Sequence, residues 1–545
     1  MKKWCWLVGL LLLAGSWGEA QTGEGEHDPV LWVDQLGYRP GDAKIALAET
    51  TVSSFQLLDT AGKVAITGTA GVASYDPNSQ TSLRRLDFSS LKVPGTYVLV
   101  TDSGHRSVPF RIDPAVYREV GAAALAMLHY QRCGTELEAA FAGDFAHAAC
   151  HLGPAEILGS DRTLLAEGGW HDAGDYGRYV VPGAVAVGHL LLAEELWPGK
   201  APGLLDEARY ELEWLLKMQD TGTGGVYHKL TSRNFPGLDV APDFDFSTQV
   251  VSPVSWTATA DFAAVMAAGS RLYRATDKAF AERCLKAARS AERWTRAHAF
   301  QGFVNPPGIQ TGEYGDGDGS DEGLWMNTEL FRATGEATFA TAVRLGVSSR
   351  SLRADAFGWA QTGLFSVVGV LLADTKLDAA TRTRAQKLFD GRLAELQQGS
   401  LSAPDLTTMS PGYFHWGSNM TLMDHAMLLA VAHRLDPRQP LDAALENLHS
   451  LFGRNAVGQS FVTGFGAWPV LNPHHRPSVA AGVFRPVPGM VSGGPNRNLE
   501  DSLVRDQRSG AAPARSWIDD AGSYSTNEVA IYWNTPLVFV LAGLD

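Results

Sequence analysis

The hydrophobic period changes once along this chain, at Asp113-Pro114, and that change restricts what it can fold into more than any other feature. From Val30 to Ile112 apolar and polar residues alternate in short runs, among them Val30-Leu31-Trp32-Val33, Phe55-Gln56-Leu57-Leu58 and Gly95-Thr96-Tyr97-Val98-Leu99-Val100. Turn signals at Pro40-Gly41, Ala61-Gly62 and Pro94-Gly95 separate them. Short alternating runs at this spacing predict an antiparallel β-sandwich of roughly immunoglobulin size over residues 28–113. Beyond Pro114 the period becomes helical to the end of the chain, giving a second domain over residues 114–545. The pattern predicts about twelve helices, from Tyr117–Gln131 through Ala356–Ala373 to Asn527–Leu544. They are separated by Gly/Pro-rich loops, several far longer than an ordinary connection, and such loops on a helical scaffold usually carry function. Paired helices with long loops suggest a closed toroid of hairpins; an open solenoid has the same periodicity.

The N-terminus adds an address. Lys2 and Lys3 precede an apolar run through Leu13 and a small-residue stretch ending Gly18-Glu19-Ala20. This predicts a signal peptide over residues 1–20, too short to span a membrane, and an exported protein, secreted or periplasmic. A formal net charge of -14 argues against nucleic acid or an anionic membrane as partner and fits a neutral substrate, with the protein itself expected to be a monomer.

Two acidic clusters carry the candidate chemistry. The first, Gly168-Gly169-Trp170-His171-Asp172-Ala173-Gly174-Asp175-Tyr176-Gly177-Arg178, places two carboxylates on a glycine-rich loop between aromatics. Such a pair suits a base that holds and deprotonates a water, and the aromatics suit the apolar face of a sugar ring. The second runs from Trp517 to Thr535 and contains Asp519, Tyr524, Asn527, Glu528, Tyr532 and Trp533. Here Asn527 is a candidate N-cap of the last helix, with Glu528 in its first turn. An aromatic surround raises a carboxyl pKa by desolvation, and a protonated Glu facing an ionised Asp is the pair that glycoside hydrolysis requires.

With these two segments, three further motifs establish a resemblance: Tyr-Gly-Asp-Gly-Asp-Gly-Ser-Asp-Glu at 314–322, Trp-Gly-Ser-Asn at 416–419 and Asn-Pro-His-His-Arg-Pro at 472–477. The chain resembles glycoside hydrolase family 9 cellulases of the subgroup with an N-terminal Ig-like domain, across essentially its whole mature length. The resemblance implies an Ig-like β-sandwich followed by an all-α (α/α)6 barrel, and endo-β-1,4-glucanase activity with inversion on cellulose-like or mixed-linkage β-glucans. An exo-acting enzyme on oligosaccharides is the alternative. It further implies Asp175 as general base, Asp172 as its partner at the water, and Glu528 as general acid. Asp519 is implied to orient Glu528 or its loop, and His474 and Arg476 to bind the sugar next to the scissile bond. Trp416, Tyr524 and Trp533 are candidates for sugar stacking.

Metals complete the expectation. Cys133, Cys150, His151 and His171 form C-x16-C-H-x19-H, which spacing alone leaves open between a zinc site and a Cys133–Cys150 disulfide. The resemblance favours structural zinc, bracing the loop that bears Asp172. Cys284 falls in a helical run and reads as a buried free thiol. Asp316, Asp318, Ser320, Asp321 and Glu322 make an oxygen-rich loop that is not an EF-hand, since Asn327 stands where the bidentate Glu belongs. The resemblance implies structural calcium there, with Asp318, Asp321 and Glu322 as ligands. Neither metal is expected to take part in the chemistry.

Overall fold

The computed structural model describes residues 30–373 and 377–544; the leader expected over residues 1–20 lies outside the described residues. Nine strands build the N-terminal part: β1 (Leu31–Trp32), β2 (Gly37–Tyr38), β3 (Ile45–Glu49), β4 (Ser54–Asp59), β5 (Val64–Thr69), β6 (Ser74–Asp76), β7 (Thr81–Asp87), β8 (Gly95–Thr101) and β9 (Phe110–Ile112). They form two sheets, ordered β1-β3-β7-β6 and β2-β9-β8-β4-β5. All pairs are antiparallel except β2 with β9. The alternation does what period two demands: on β8, Tyr97, Leu99 and Thr101 point inward, and Leu99 pairs with Leu57 of β4. Leu57, Leu86, Phe88, Leu99 and Phe110 make a core separate from that of the helical part. Strands β2, β5 and β6 escaped the sequence pattern, β2 and β6 by their brevity and β5 because it is an edge strand with little burial.

Twelve helices of ten residues or more follow among the described residues. They are α1 (Arg118–Tyr130), α2 (Val180–Leu196), α3 (Leu204–Lys217), α4 (Trp256–Leu272), α5 (Lys278–Ala297), α6 (Ser320–Thr334), α7 (Ala337–Ser348), α8 (Gly363–Leu372), α9 (Ala379–Ser402), α10 (Ser418–Leu435), α11 (Asp442–Leu451) and α12 (Ile531–Ala542). Even-numbered helices pack in series, α12 on α2, α2 on α4, α4 on α6 and α6 on α8, and α10 closes back on α12. Odd-numbered helices lie outside, α1 against α12 and each of the others against its even-numbered neighbour, with α9 bridging α8, α10 and α11. This is a closed double ring of helical hairpins, the expected (α/α)6 barrel.

Sequence decides which helix goes where. In α2 every residue from Val180 to Ala193 is buried, as a helix apolar all round must be. In α5 the buried positions are Phe280, Ala281, Cys284, Ala287, Ala288, Ala291 and Thr295, one stripe at helical spacing with a solvated opposite face. Cys284 is therefore the buried free thiol expected of it.

Two helix starts differ from expectation. Helix α8 begins at Gly363, not Ala356, because the preceding backbone is engaged elsewhere: Phe357 O accepts from His189, Gly358 bridges Gln361, and Thr362 N–H donates to Asp321. Helix α12 begins at Ile531 rather than Asn527, with consequences for the site described below.

The sandwich is bonded to the barrel through buried groups. Asp34 Oδ2 takes Tyr117 Oη and His449 Nδ1, both at 2.8 Å, and Gln35 N–H donates to Phe452 O at 2.9 Å.

Candidate active site and metal centres

The loop between residues 168 and 178 is held from three sides. Gln131 Nε2 donates to the carbonyls of His171 and Ala173, Arg178 Nη1 to those of Ala166 and Gly168, and two glutamates of α3 hold Trp170. Glu211 accepts the Trp170 backbone N–H at 2.7 Å and Glu207 its indole N–H at 2.9 Å. Two glycines are dictated by close approach: a Cβ on Gly174 would lie 2.0 Å from His474 O, and one on Gly177 would meet Asp175 Oδ2 at 2.6 Å.

So fixed, the two aspartates differ. Asp172 is buried; its Oδ2 accepts from Tyr314 Oη at 2.5 Å while Oδ1 has no protein partner. Burial, then Asp175, push its carboxyl well above the ordinary range, against the pull of Tyr314. Asp175 Oδ2 accepts from Gly177 N–H at 2.9 Å and Tyr179 Oη at 3.0 Å. Burial raises it too, but Arg476 and those two donors oppose the rise. Asp175 is thus the better supported anion.

Glu528 reaches the same place from the far end of the chain. Asn527 does not cap a helix. Tyr524–Asn527 is a single turn, Glu528 is extended with φ -65° and ψ 159°, and the chain bridges His474 before α12 begins. Asn527 Nδ2 instead donates to Asp519 and to Asn472 O. The Ile531 N–H donates to Asp172 O at 2.8 Å, tying the two acidic segments together. Glu528 keeps partial solvent access, yet the surrounding shell, then Asp175 and Asp172, push its carboxyl well above the ordinary range. Two carboxyls within electrostatic reach, one with donors and an arginine favouring its anion and the other raised further by burial, match the division of labour that acid–base hydrolysis uses.

Around the trio, His474 Nδ1 lies 2.6 Å from Ala521 O, so it donates there and leaves Nε2 as an acceptor; burial lowers its pKa and keeps it neutral. Arg476 lays Nη1 on Gly174 O and Nε on Pro236 O, at 2.8 and 3.0 Å. Trp416 and Tyr524 are half-exposed with ring centroids 5.2 Å apart. Trp533 departs from expectation: it is buried, its ring lying against Gly417 and Gly493, so it supports the Trp416 loop rather than offering a face to a sugar. Asp519 accepts from the N–H groups of Leu471 and Asn472 and from Asn527, so it ties the His474 strand to the residue before Glu528. Tyr314 and Tyr179, which contact the aspartates directly, were missed in the sequence. Tyr314 opens the 314–322 motif, whose acidic residues signal a cation and not a partner for Asp172.

Cys133, Cys150, His151 and His171 converge as one cluster whose four ligand atoms lie within 4.8 Å of one another. Sγ to Sγ is 3.8 Å, Cys133 Sγ to His151 Nδ1 3.6 Å, and Cys150 Sγ to His171 Nε2 3.7 Å. A disulfide would need about 2.05 Å, whereas a tetrahedron with bonds of about 2.3 Å has edges of roughly 3.8 Å. The cysteines are free thiols in metal-site geometry. Behind them, His151 Nε2 lies 3.2 Å from Asp245 Oδ2, the outer carboxylate that orients a ligand histidine.

The acidic residues at 316–322 divide between the loop before α6 and its first turn. Asp321 and Glu322 are buried, but Asp318 is exposed and caps its own turn through Ser320 N–H. Asp261 of α4, fully buried, couples electrostatically to Asp321 and Glu322. Both oxygens of Asp261, both of Glu322 and Oδ2 of Asp316 have no protein partner. Burial, then Asp261 and Asp321, push Glu322 up to about 11. Carboxylates gathered without a countercharge fit an oxygen-coordinated cation. A lone acid in the apolar run Ala258-Thr259-Ala260-Asp261-Phe262-Ala263 was the signal available in the sequence.

A carboxylate trio on a closed double ring of helices, joined to a β-sandwich, defines a glycosidase-type enzyme. Residues 117–541 match the family described as Glycosyl hydrolase family 9, and residues 26–106 match the Cellulase N-terminal ig-like domain. The chain belongs to glycosyl hydrolase family 9. It is 31% identical to Endoglucanase D of Acetivibrio thermocellus, over 95% of this chain and 84% of that protein. It is 32% identical to a Cellodextrinase of Butyrivibrio fibrisolvens, over 94% of this chain and 99% of the other. A crystal structure of a single mutant of the thermostable endoglucanase from Alicyclobacillus acidocaldarius superposes with a TM-score of 0.90 at 40% identity, covering 95% of this chain and 99% of that one. Among the described residues no helix is long and apolar enough to cross a membrane.

Proposed function

We propose that the protein is an exported endo-β-1,4-glucanase that hydrolyses cellulose-like or mixed-linkage β-glucans with inversion. Residues 28–113 form the Ig-like domain and 114–545 the catalytic domain. The observation that carries the reading is the convergence of Asp172, Asp175 and Glu528 with unequal support: burial raises all three, but Asp175 alone has an arginine and two donors opposing the rise, while Glu528 is raised well above the ordinary range. Glu528, protonated, gives its proton to the glycosidic oxygen as the C1–O bond breaks. Asp175 takes a proton from a water that attacks C1 from the opposite face, so the new hydroxyl has inverted configuration, Glu528 is left ionised and Asp175 protonated, and exchange with solvent restores both. Asp172 holds that water with Asp175. Inversion requires the acid and base to stand roughly 6.5–9.5 Å apart, leaving room for the water. His474 accepts from a sugar hydroxyl and Arg476 donates to one, while Asp519 positions the Glu528 segment. The Cys2His2 cluster suits zinc, and Asp261, Asp316, Asp321 and Glu322 suit calcium; both brace loops and neither enters the chemistry.

The test is reducing-sugar release from carboxymethylcellulose, with the first-formed anomer followed by NMR. The parent releases sugar as the α-anomer, and Glu528→Gln loses roughly 10²- to 10⁴-fold. Parent and variant of equal activity refute the acid assignment. The similarity to a cellodextrinase supports a second reading, exo-action on oligosaccharides. End-labelled cello-oligosaccharides decide between them: products of mixed size mark endo-action, one fixed product marks exo-action.

A further inference from the structure

Residues 233–248 form a long loop between antiparallel strands that close at Ser232 and Gln249. A loop of this length within a compact domain is ordinarily functional. This one is tied down beside the catalytic centre: Tyr176 Oη donates to Val240 O at 2.6 Å, Arg476 Nε donates to Pro236 O at 3.0 Å, and Asp245 meets His151. Near its start stands Phe235, 45% exposed, a large apolar ring that the fold leaves in solvent. The guanidinium of Arg476 lies 5.5 Å from its centroid, so the ring is held in place on one side and open elsewhere.

Phe235 is not isolated. Trp416 at 40% exposure and Tyr524 at 38% are 5.2 Å apart, and Tyr524 is 6.2 Å from His474. Arg476, which carries the Phe235 ring on one side, is buried and donates to Gly174 O of the loop that bears Asp172 and Asp175. The open face of an aromatic, apolar and fixed in orientation, suits the C–H face of a pyranose.

We propose that Phe235 is a sugar-stacking residue that extends the binding cleft by one glucosyl position beyond Arg476. This rests on the β-glucan reading above. Its occupant is the same glucan chain, since Arg476 joins the ring and its loop directly to the segment that bears Asp172 and Asp175.

The experiment measures kcat/KM for a series of cello-oligosaccharides of increasing length, with end-labelling to give the bond cleaved. In Phe235→Ala the ratio of kcat/KM between the longest and shortest cleaved members falls roughly 3- to 10-fold, the preferred bond shifts along the chain, and Phe235→Trp retains both. An unchanged ratio overturns the proposal. So does an equal loss at every length, which marks Phe235 as packing for Arg476 alone. Should Phe235→Ala fail to fold, Phe235→Leu keeps the apolar contact and removes the ring, and the same ratio is read. A parent inactive on every member overturns the functional reading itself, a result distinct from an active parent with an indifferent Phe235.

Discussion

Replacing Tyr314 by Phe tests the electrostatic logic of the site most directly. Its hydroxyl donates at 2.5 Å to Asp172 Oδ2, and the other Asp172 oxygen is buried without a protein partner. Phe keeps the ring contacts with Tyr179 and Trp359, at centroid distances of 5.0 and 5.2 Å, so only the donor is removed. A hydrogen bond to a charged group contributes about 1.5–3 kcal/mol, and at about 1.4 kcal/mol per decade the expected loss in kcat/KM is roughly 10- to 150-fold. The pH profile adds a second readout. Tyr314 opposes the upward push of burial and Asp175 on Asp172, so without it Asp172 ionises at higher pH and the acid limb moves up. Initial rates on a soluble β-glucan across the pH range, with melting temperature as the folding control, measure both. Activity within twofold of the parent with an unmoved acid limb refutes the reasoning.

Glu528→Gln, inactive by expectation, should be more stable than the parent at neutral pH. A carboxyl raised in the folded state contributes no penalty below its unfolded value near 4.3 and costs stability as pH rises from there. The two melting curves should therefore converge near pH 4 and separate upward; parallel curves exclude it. Chelation of the Cys133, Cys150, His151 and His171 cluster should lower the melting temperature and make two more thiols titratable, whereas equal melting after verified metal loss rules out a structural ion. Asp34→Ala leaves Tyr117 and His449 buried without their shared acceptor, and urea unfolding should show a loss of about 2–3 kcal/mol. A change below about 0.5 kcal/mol would place the coupling of the two domains elsewhere.

Sequence alone determined what depends on local periodicity and on residue types in fixed order. The alternation in residues 30–112, the apolar-all-round run of Val180–Ala193 and the one-sided stripe of Lys278–Ala297 dictate strands, inner helix and outer helix before any contact is known. The proposed trio Asp172, Asp175 and Glu528 was likewise nominated from sequence, because their segments are recognisable in chain order. Only the tertiary structure decided how groups distant in the chain are oriented and paired. Glu528 left the helix assigned to it because its own carbonyl accepts from Gly493 N–H and its neighbours Asn527 and Ile531 bond to Asp519 and Asp172 instead of to the next helical turn. Trp533 turned inward, Asp318 outward, and Asp261 arrived from a helix some sixty residues upstream of Glu322. That Cys133 and Cys150 are free thiols beside two histidines, not a disulfide, shows in a 3.8 Å sulfur separation that no spacing encodes. Burial, charge coupling and ligand distance are properties of convergence, and convergence exists only once the ring of helices closes.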